Sequence, residues 1–128
     1  MTLSQKDQLA IFNQALENKH AFFVWWNSPA EDVVFNIKTI LPELDIKELG
    51  EKQVFGNWIE TISLDGQEYP FELESDSKAF DIVHLVNKKL SASGQFFVHF
   101  DPKDEGCYFI LIKTADLPTY LEKGFLEP

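Results

Sequence analysis

Apolar residues recur at helical spacing in four parts of the chain, and short apolar or alternating runs lie between them. The helical parts begin at residue types that start or cap helices, namely Ser4, Ser28-Pro29, Ser75 or Asp76, and Thr114 or Asp116. The strand-like runs are AFFVWW, VFGNWIETISL, QEYPFELE, QFFVHF and CYFILIK. The predicted order of elements is therefore αβαββαββα.

Residues 43–52, ELDIKELGEK, show no clear helix or strand period. We expect only a short helical turn there, leading to Gly50. No internal repeat or flexible linker interrupts the chain, and 128 residues suffice for one core. The sequence thus predicts a single α+β domain over residues 1–128, with a mostly antiparallel five-stranded sheet packed by helices.

The best-defined predicted hairpin has Asp65-Gly66 at its turn, a dipeptide that favours a two-residue type I′ turn. Such a turn pairs Leu64 with Gln67, Ile62 with Tyr69, Glu60 with Phe71, and Trp58 with Leu73. One face of the hairpin is then apolar except for Glu60. Desolvation would favour the protonated form of this carboxyl, which makes Glu60 a candidate proton donor or ligand contact in a pocket. A bulge near Gly56, a slipped register or a place at the sheet margin would instead leave Glu60 in water.

The other face of the same hairpin is acidic. Pro70 cannot donate a ladder hydrogen bond, so QEYPFELE is predicted to be an edge strand, and edge charges prevent pairing with other chains. The acids exceed that need, because residues 60–81 contain seven acids and Lys78 alone, a local net charge of −6. Charge of this density favours a binding role.

Bulk charge narrows the class of partner. The chain has 21 acids and 11 bases, all of them lysine, for a net charge of −10. Arginine is the side chain that most often binds phosphate, through its planar guanidinium, and this chain has none. Nucleic acid and anionic membranes are therefore poor candidates for a ligand. A negative field speeds encounter with a cationic partner, although it also serves solubility.

The residues most often used in catalysis and metal binding form no recognisable arrangement. His20, His84 and His99 are isolated from one another in sequence, and DPKDEG at 101–106 lacks the ligand spacing of an EF-hand, so we expect a plain hairpin loop. Phe100 rather than His99 is predicted opposite Cys107, with His99 and Cys107 on opposite faces, which favours a core cysteine over a nucleophile. We therefore expect no catalytic residue, no cofactor and no metal.

Location and oligomeric state have weaker signals. A single cysteine excludes an internal disulfide and fits a reducing compartment, and the N-terminus does not have the pattern of a signal peptide. No run approaches the ~20 apolar residues of a membrane span, so a cytoplasmic protein is expected. Like charges along the edge strand argue against pairing with a second copy, which favours a monomer.

These patterns favour a non-catalytic acidic binding protein that docks a cationic protein partner. A compact acidic protein of this kind could inhibit a basic nuclease toxin by covering its phosphate-binding surface, so a bacterial immunity protein is the specific function expected. The residues expected to supply the field are Glu68, Glu72, Glu74 and Asp76, with Trp58 or Tyr69 as an anchor. A Trp26 or Trp58 exposed beside acids would match the composition of an interface hot spot.

Two alternatives stay open at this point. The first is a small-molecule-binding or enzyme domain with a pocket near Glu60, and the second is a structural or regulatory subunit whose acidity serves solubility. A deep pocket at Glu60 would favour the first. A filled core with exposed aromatic residues beside the acids would favour the binding protein.

Overall fold

The computed structural model describes residues 2–128, which form four α-helices, two short 3-10 helices and six strands. The helices are α1 Gln5–Glu17, α2 Ala30–Ile40, α3 Lys78–Leu90 and α4 Leu117–Glu122, with 3-10 turns at Ser91–Ser93 and Thr114–Asp116. The strands are β1 Ala21–Trp25, β2 Ile46–Val54, β3 Asn57–Leu64, β4 Gln67–Glu72, β5 Gln95–Phe100 and β6 Gly106–Lys113.

The strands form two antiparallel sheets of three strands each, in the orders β1-β6-β5 and β2-β3-β4. The α+β class is confirmed. The prediction of one five-stranded sheet in the order αβαββαββα is wrong. Residues 46–54 form a sixth strand, and the β3–β4 hairpin pairs with that strand and not with β1, β5 or β6.

One core joins the two sheets through α2 and α3. Its buried members include Phe22, Val24, Val33, Ile37, Ile62, Leu64, Val83, Phe97 and Phe109. A second core lies on the other face of the β1-β6-β5 sheet, where Phe12 of α1 and Phe125 near the C-terminus pack on Val98, Phe100 and Ile110. The first sheet is thus covered on both faces, which explains why its strands carry apolar residues on both faces.

Strand β2 was not predicted, because almost none of its residues is buried and its sequence therefore shows no apolar alternation. Ile46 is its one buried residue, and a bulge shifts the register between Glu48 and Glu51. Gly50 in the bulge has a φ of 98°, which glycine adopts readily. Without an apolar alternation, the strand is specified by its hydrogen bonds to β3 and not by its own sequence.

The predicted strand VFGNWIETISL is divided in the structure. Phe55-Gly56 forms a turn between β2 and β3, with φ angles of 50° and 84°. The next turn, Asp65-Gly66, has φ angles of 51° and 81°, as a type I′ turn requires. From there the predicted β3–β4 register is confirmed, and β4 is an edge strand as Pro70 indicated.

Helix starts follow the sequence signals closely. The Ser4 hydroxyl accepts a hydrogen bond from the Asp7 backbone N–H at 3.2 Å, so the cap of α1 is confirmed. The cap of α3 is Ser77 and not Ser75 or Asp76, and its side chain makes no capping bond. Within residues 2–128 no helix is long and apolar enough to cross a membrane.

Candidate protein-binding surface

Glu60 lies in the interior, and its carboxylate is bonded within the chain. The residue is 1% exposed, and the Lys78 ammonium donates to its Oε1 at 2.5 Å. The Ala30 backbone N–H donates to its Oε2, and Lys78 also donates to the Leu73 carbonyl at 3.0 Å. Each carboxylate oxygen therefore already accepts a hydrogen bond from the protein itself.

This ion pair joins three elements at the point where two helices begin. Ala30 is the first residue of α2 and Lys78 the first of α3, while Glu60 projects from the inner face of β3. The Ser28 hydroxyl accepts from the Trp25 backbone N–H at 2.9 Å and does not cap α2. Glu60 supplies that cap from a distant strand, with a negative charge at the positive end of the helix dipole.

The burial of Lys78 changes the charge of the outer surface. Lys78 is the only base in residues 60–81, and it faces the interior with Glu60. The other six acids of the segment, Asp65, Glu68, Glu72, Glu74, Asp76 and Asp81, are all exposed. Lys89 approaches one of them, with 3.4 Å between its Nζ and Asp65 Oδ2. The outer surface of the segment therefore carries six carboxylates and no base of its own.

The predicted partner-binding residues divide between two places. Glu72 and Glu74 line a groove of about 200 Å³ together with Trp58, whose side chain is 50% exposed. Glu68 is exposed on the outward face of β4, on the same side as Glu72. Tyr69 is half-buried and packs against the core, so it lies on the opposite face from these acids. Trp58 alternates with Glu60 along β3 and so is on the same face as Tyr69, but it lies at the exposed end of the strand, where it lines the groove with Glu72 and Glu74.

Asp76 lies in a second, larger groove of about 500 Å³. Its walls include Trp26, Phe80, Asp101, Asp104 and Glu105, and Trp26 is 41% exposed. The sequence predicts a plain hairpin loop at 101–106 and does not predict this groove. The acids of that loop line the same groove as Asp76, which is distant in sequence, and no local pattern indicates this arrangement.

The 101–106 loop is ordered by its own carboxylates. Asp104 accepts from the Gly106 backbone N–H and from the Tyr108 hydroxyl, each at 2.7 Å, and Asp101 accepts from the Lys103 backbone N–H at 2.9 Å. Burial together with the Asp104 carboxylate raises the pKa of Tyr108 to about 12. Across residues 2–128 no group of three or more His, Cys, Asp or Glu side chains is placed to hold a metal ion.

His99 and Cys107 correct one sequence prediction. The register places Phe100 opposite Tyr108 and His99 opposite Phe109, one residue away from the predicted pairing. His99 and Cys107 therefore point to the same face of the sheet and not to opposite faces, as diagonal neighbours. Cys107 is 3% exposed and belongs to the core, which was predicted.

The ionisation of both groups opposes nucleophilic chemistry. Burial, with the charges of Asp104 and Asp101, raises the pKa of the Cys107 thiol to about 11. Burial lowers the pKa of His99 below its usual value, which opposes formation of an imidazolium partner. A reactive cysteine needs a depressed pKa and a cationic neighbour, so this pair does not have the electrostatics of a catalytic dyad.

Cys107 is expected to be nearly inert toward alkylation while the protein is folded. Raising the thiol pKa from 9.0 to about 11 lowers the thiolate fraction at neutral pH by ~10²-fold, and burial adds a steric barrier. Iodoacetamide labelling at pH 7.5 should therefore be at least ~10²-fold slower in buffer than in urea. Equal rates would contradict the burial of this thiol. The chain contains no other cysteine, so the unfolded protein is a complete control.

No family model, no curated protein and no solved structure matches this chain significantly. The function has therefore to be inferred from the chemistry of its surface.

Proposed function

We propose that this is a non-catalytic acidic protein that binds a cationic protein through the surface formed by its two acidic grooves. More specifically, we propose that the protein is an immunity-type inhibitor of a basic nuclease. The observation that carries the proposal is that a partly exposed tryptophan lines each acidic groove, Trp58 in the groove of Glu72 and Glu74, and Trp26 in the groove of Asp76 and the 101–106 loop.

Exposed tryptophan beside carboxylates suits lysine and arginine side chains. A guanidinium or ammonium can stack on the indole face while a neighbouring carboxylate accepts its N–H groups. Tryptophan is also among the residues most enriched in interface hot spots. Acids at the rim of such a surface act on the association rate and on the choice of partner.

The burial of Lys78 strengthens the electrostatic argument. If Lys78 were at the surface, it would neutralise part of the field around Glu72, Glu74 and Asp76. Its place beside Glu60 removes both charges from the interface and leaves the outer acids uncompensated. A protein that binds nucleic acid presents lysines and arginines that bind successive phosphates. Carboxylates of an inhibitor can bind these same side chains in place of the phosphates, which is why we propose a nuclease as the target.

The two alternative functions have less support from the geometry. The pocket acid of the small-molecule alternative, Glu60, has both oxygens bonded within the chain and is 1% exposed. Acidity for solubility alone gives no reason to place two half-exposed tryptophans inside acidic grooves, because exposed aromatic residues reduce solubility.

Affinity capture at two salt concentrations tests this proposal. The immobilised protein should recover one basic protein from the native lysate at low salt and much less of it at high salt, because exposed charges are screened. Purification of the captured protein then allows direct titration. Recovery of no basic protein at either salt concentration would contradict the proposal.

A further inference from the structure

The tip of the β2–β3 hairpin carries a phenylalanine that the fold does not use. Phe55 is 101% exposed, so its ring packs on no other part of the described chain. We infer that Phe55 is the apolar anchor of the binding surface, and that the cationic partner presents an apolar recess flanked by basic side chains. This inference rests on the proposed function, because the charge of the partner is taken from it.

The backbone at Phe55 is unfavourable for its residue type. Phe55 and Gly56 have φ angles of 50° and 84°, nearly those of Asp65 and Gly66 in the next turn, at 51° and 81°. Type I′ turns favour Asn, Asp or Gly at the first central position, and bulky residues rarely adopt positive φ. The chain follows this preference at Asp65 and departs from it at Phe55. Since the ring gains no packing in return, folding does not explain the choice of residue.

The tip is continuous with the acidic surface. Val54, 37% exposed, precedes Phe55, and Trp58, 50% exposed, lies on β3 just beyond the turn. Gly56 and Trp58 line the same groove as Glu72 and Glu74. An apolar tip therefore lies directly beside the carboxylates that would attract the partner.

Charge decides which occupant fits this tip. A second copy of the chain would bring its own acids against Glu72 and Glu74, and like charges in contact are unfavourable. A cationic partner with an apolar recess complements both features. Its apolar contact would also resist salt, whereas the acidic contacts are screened.

Replacement of Phe55 by asparagine separates binding from folding. Phe55→Asn supplies a residue that this turn prefers, so the melting temperature should stay the same or rise. The matched control is Phe35→Gln, which removes a ring that is also well exposed, on α2. The probes are a lysine homopeptide and a peptide of equal charge in which leucines alternate with lysines, titrated by NMR at low and high salt.

The expected result is a stronger complex with the lysine–leucine peptide that persists at high salt and shifts the resonances of residues 54–58. Phe55→Asn should weaken that complex about tenfold and leave homopeptide binding unchanged, while Phe35→Gln changes neither. Equal affinities for the two peptides, or an unchanged affinity in Phe55→Asn, would overturn the anchor. Self-association that Phe55→Asn abolishes would also overturn it, in favour of a second copy. Charge reversal of Glu68, Glu72 and Glu74 without loss of homopeptide binding would instead overturn the proposed function.

Discussion

Replacement of Lys78 by methionine is expected to lower the free energy of unfolding by about 3–5 kcal/mol, the cost of leaving a buried carboxylate without its counter-ion. Methionine fills a similar volume, so little of the loss comes from packing. The Glu60 carboxylate would keep only the Ala30 N–H as a hydrogen-bond donor, and the Leu73 carbonyl would lose its own donor. Urea denaturation with unchanged m-values would measure the effect.

A double substitution distinguishes the ion pair from packing. Glu60→Gln with Lys78→Met removes both charges and keeps an oxygen that can accept from Ala30, so it should recover more than half of the loss in Lys78→Met. Lys88→Met, an exposed position on the same helix, is the matched control and should change stability by less than ~0.5 kcal/mol. A double variant as unstable as Lys78→Met alone would contradict the account of this pair.

Charge reversal at Glu68, Glu72 and Glu74 to lysine is expected to weaken binding of the captured basic protein by about 10²–10³-fold at low salt. The change brings the segment 60–81 from a net charge of −6 to neutral, since each substitution alters the charge by two. Folding should survive, because the three side chains are exposed and lysine on an edge strand also prevents mispairing. Surface plasmon resonance should show the loss mainly in the association rate.

The matched control for this variant makes the same change of net charge elsewhere. Glu17, Glu43 and Asp116 are exposed and line neither acidic groove, and their reversal to lysine should weaken binding by less than ~10-fold. Equal losses in the two triple variants would mean that total charge, and not this surface, controls association.

The sequence was enough to predict those elements that are determined by residues close together along the chain. The β3–β4 hairpin follows from Asp65-Gly66, since a two-residue turn sets the register of both strands. The acidic edge follows from Pro70 and the alternation around it. The long helix α3 follows from apolar residues at helical spacing, and all three predictions agree with the structure.

Features that depend on contacts between distant parts of the chain could not be predicted. Strand β2 is held by pairing with β3 and buries little, so its sequence carries no strand pattern. The partners of Glu60 are 30 and 18 residues away along the chain, and neither spacing has a signature in the sequence. The second groove likewise joins Trp26, Asp76 and the 101–106 loop from three separate segments. The position of Glu60 on the inner face of the hairpin was correctly predicted. Its contacts with Lys78 and the Ala30 N–H, however, show that it caps α2 and does not line a pocket.

The central claim is that the surface around Glu68, Glu72 and Glu74 is specific for a cationic protein. The most direct test is the affinity of the captured partner for the wild-type protein and the two triple variants over a range of salt concentrations. We predict a steep salt dependence for the wild type and for the Glu17, Glu43 and Asp116 variant, and a weak, nearly salt-independent affinity for the Glu68, Glu72 and Glu74 variant. An unchanged affinity and salt dependence in the last variant would contradict the claim.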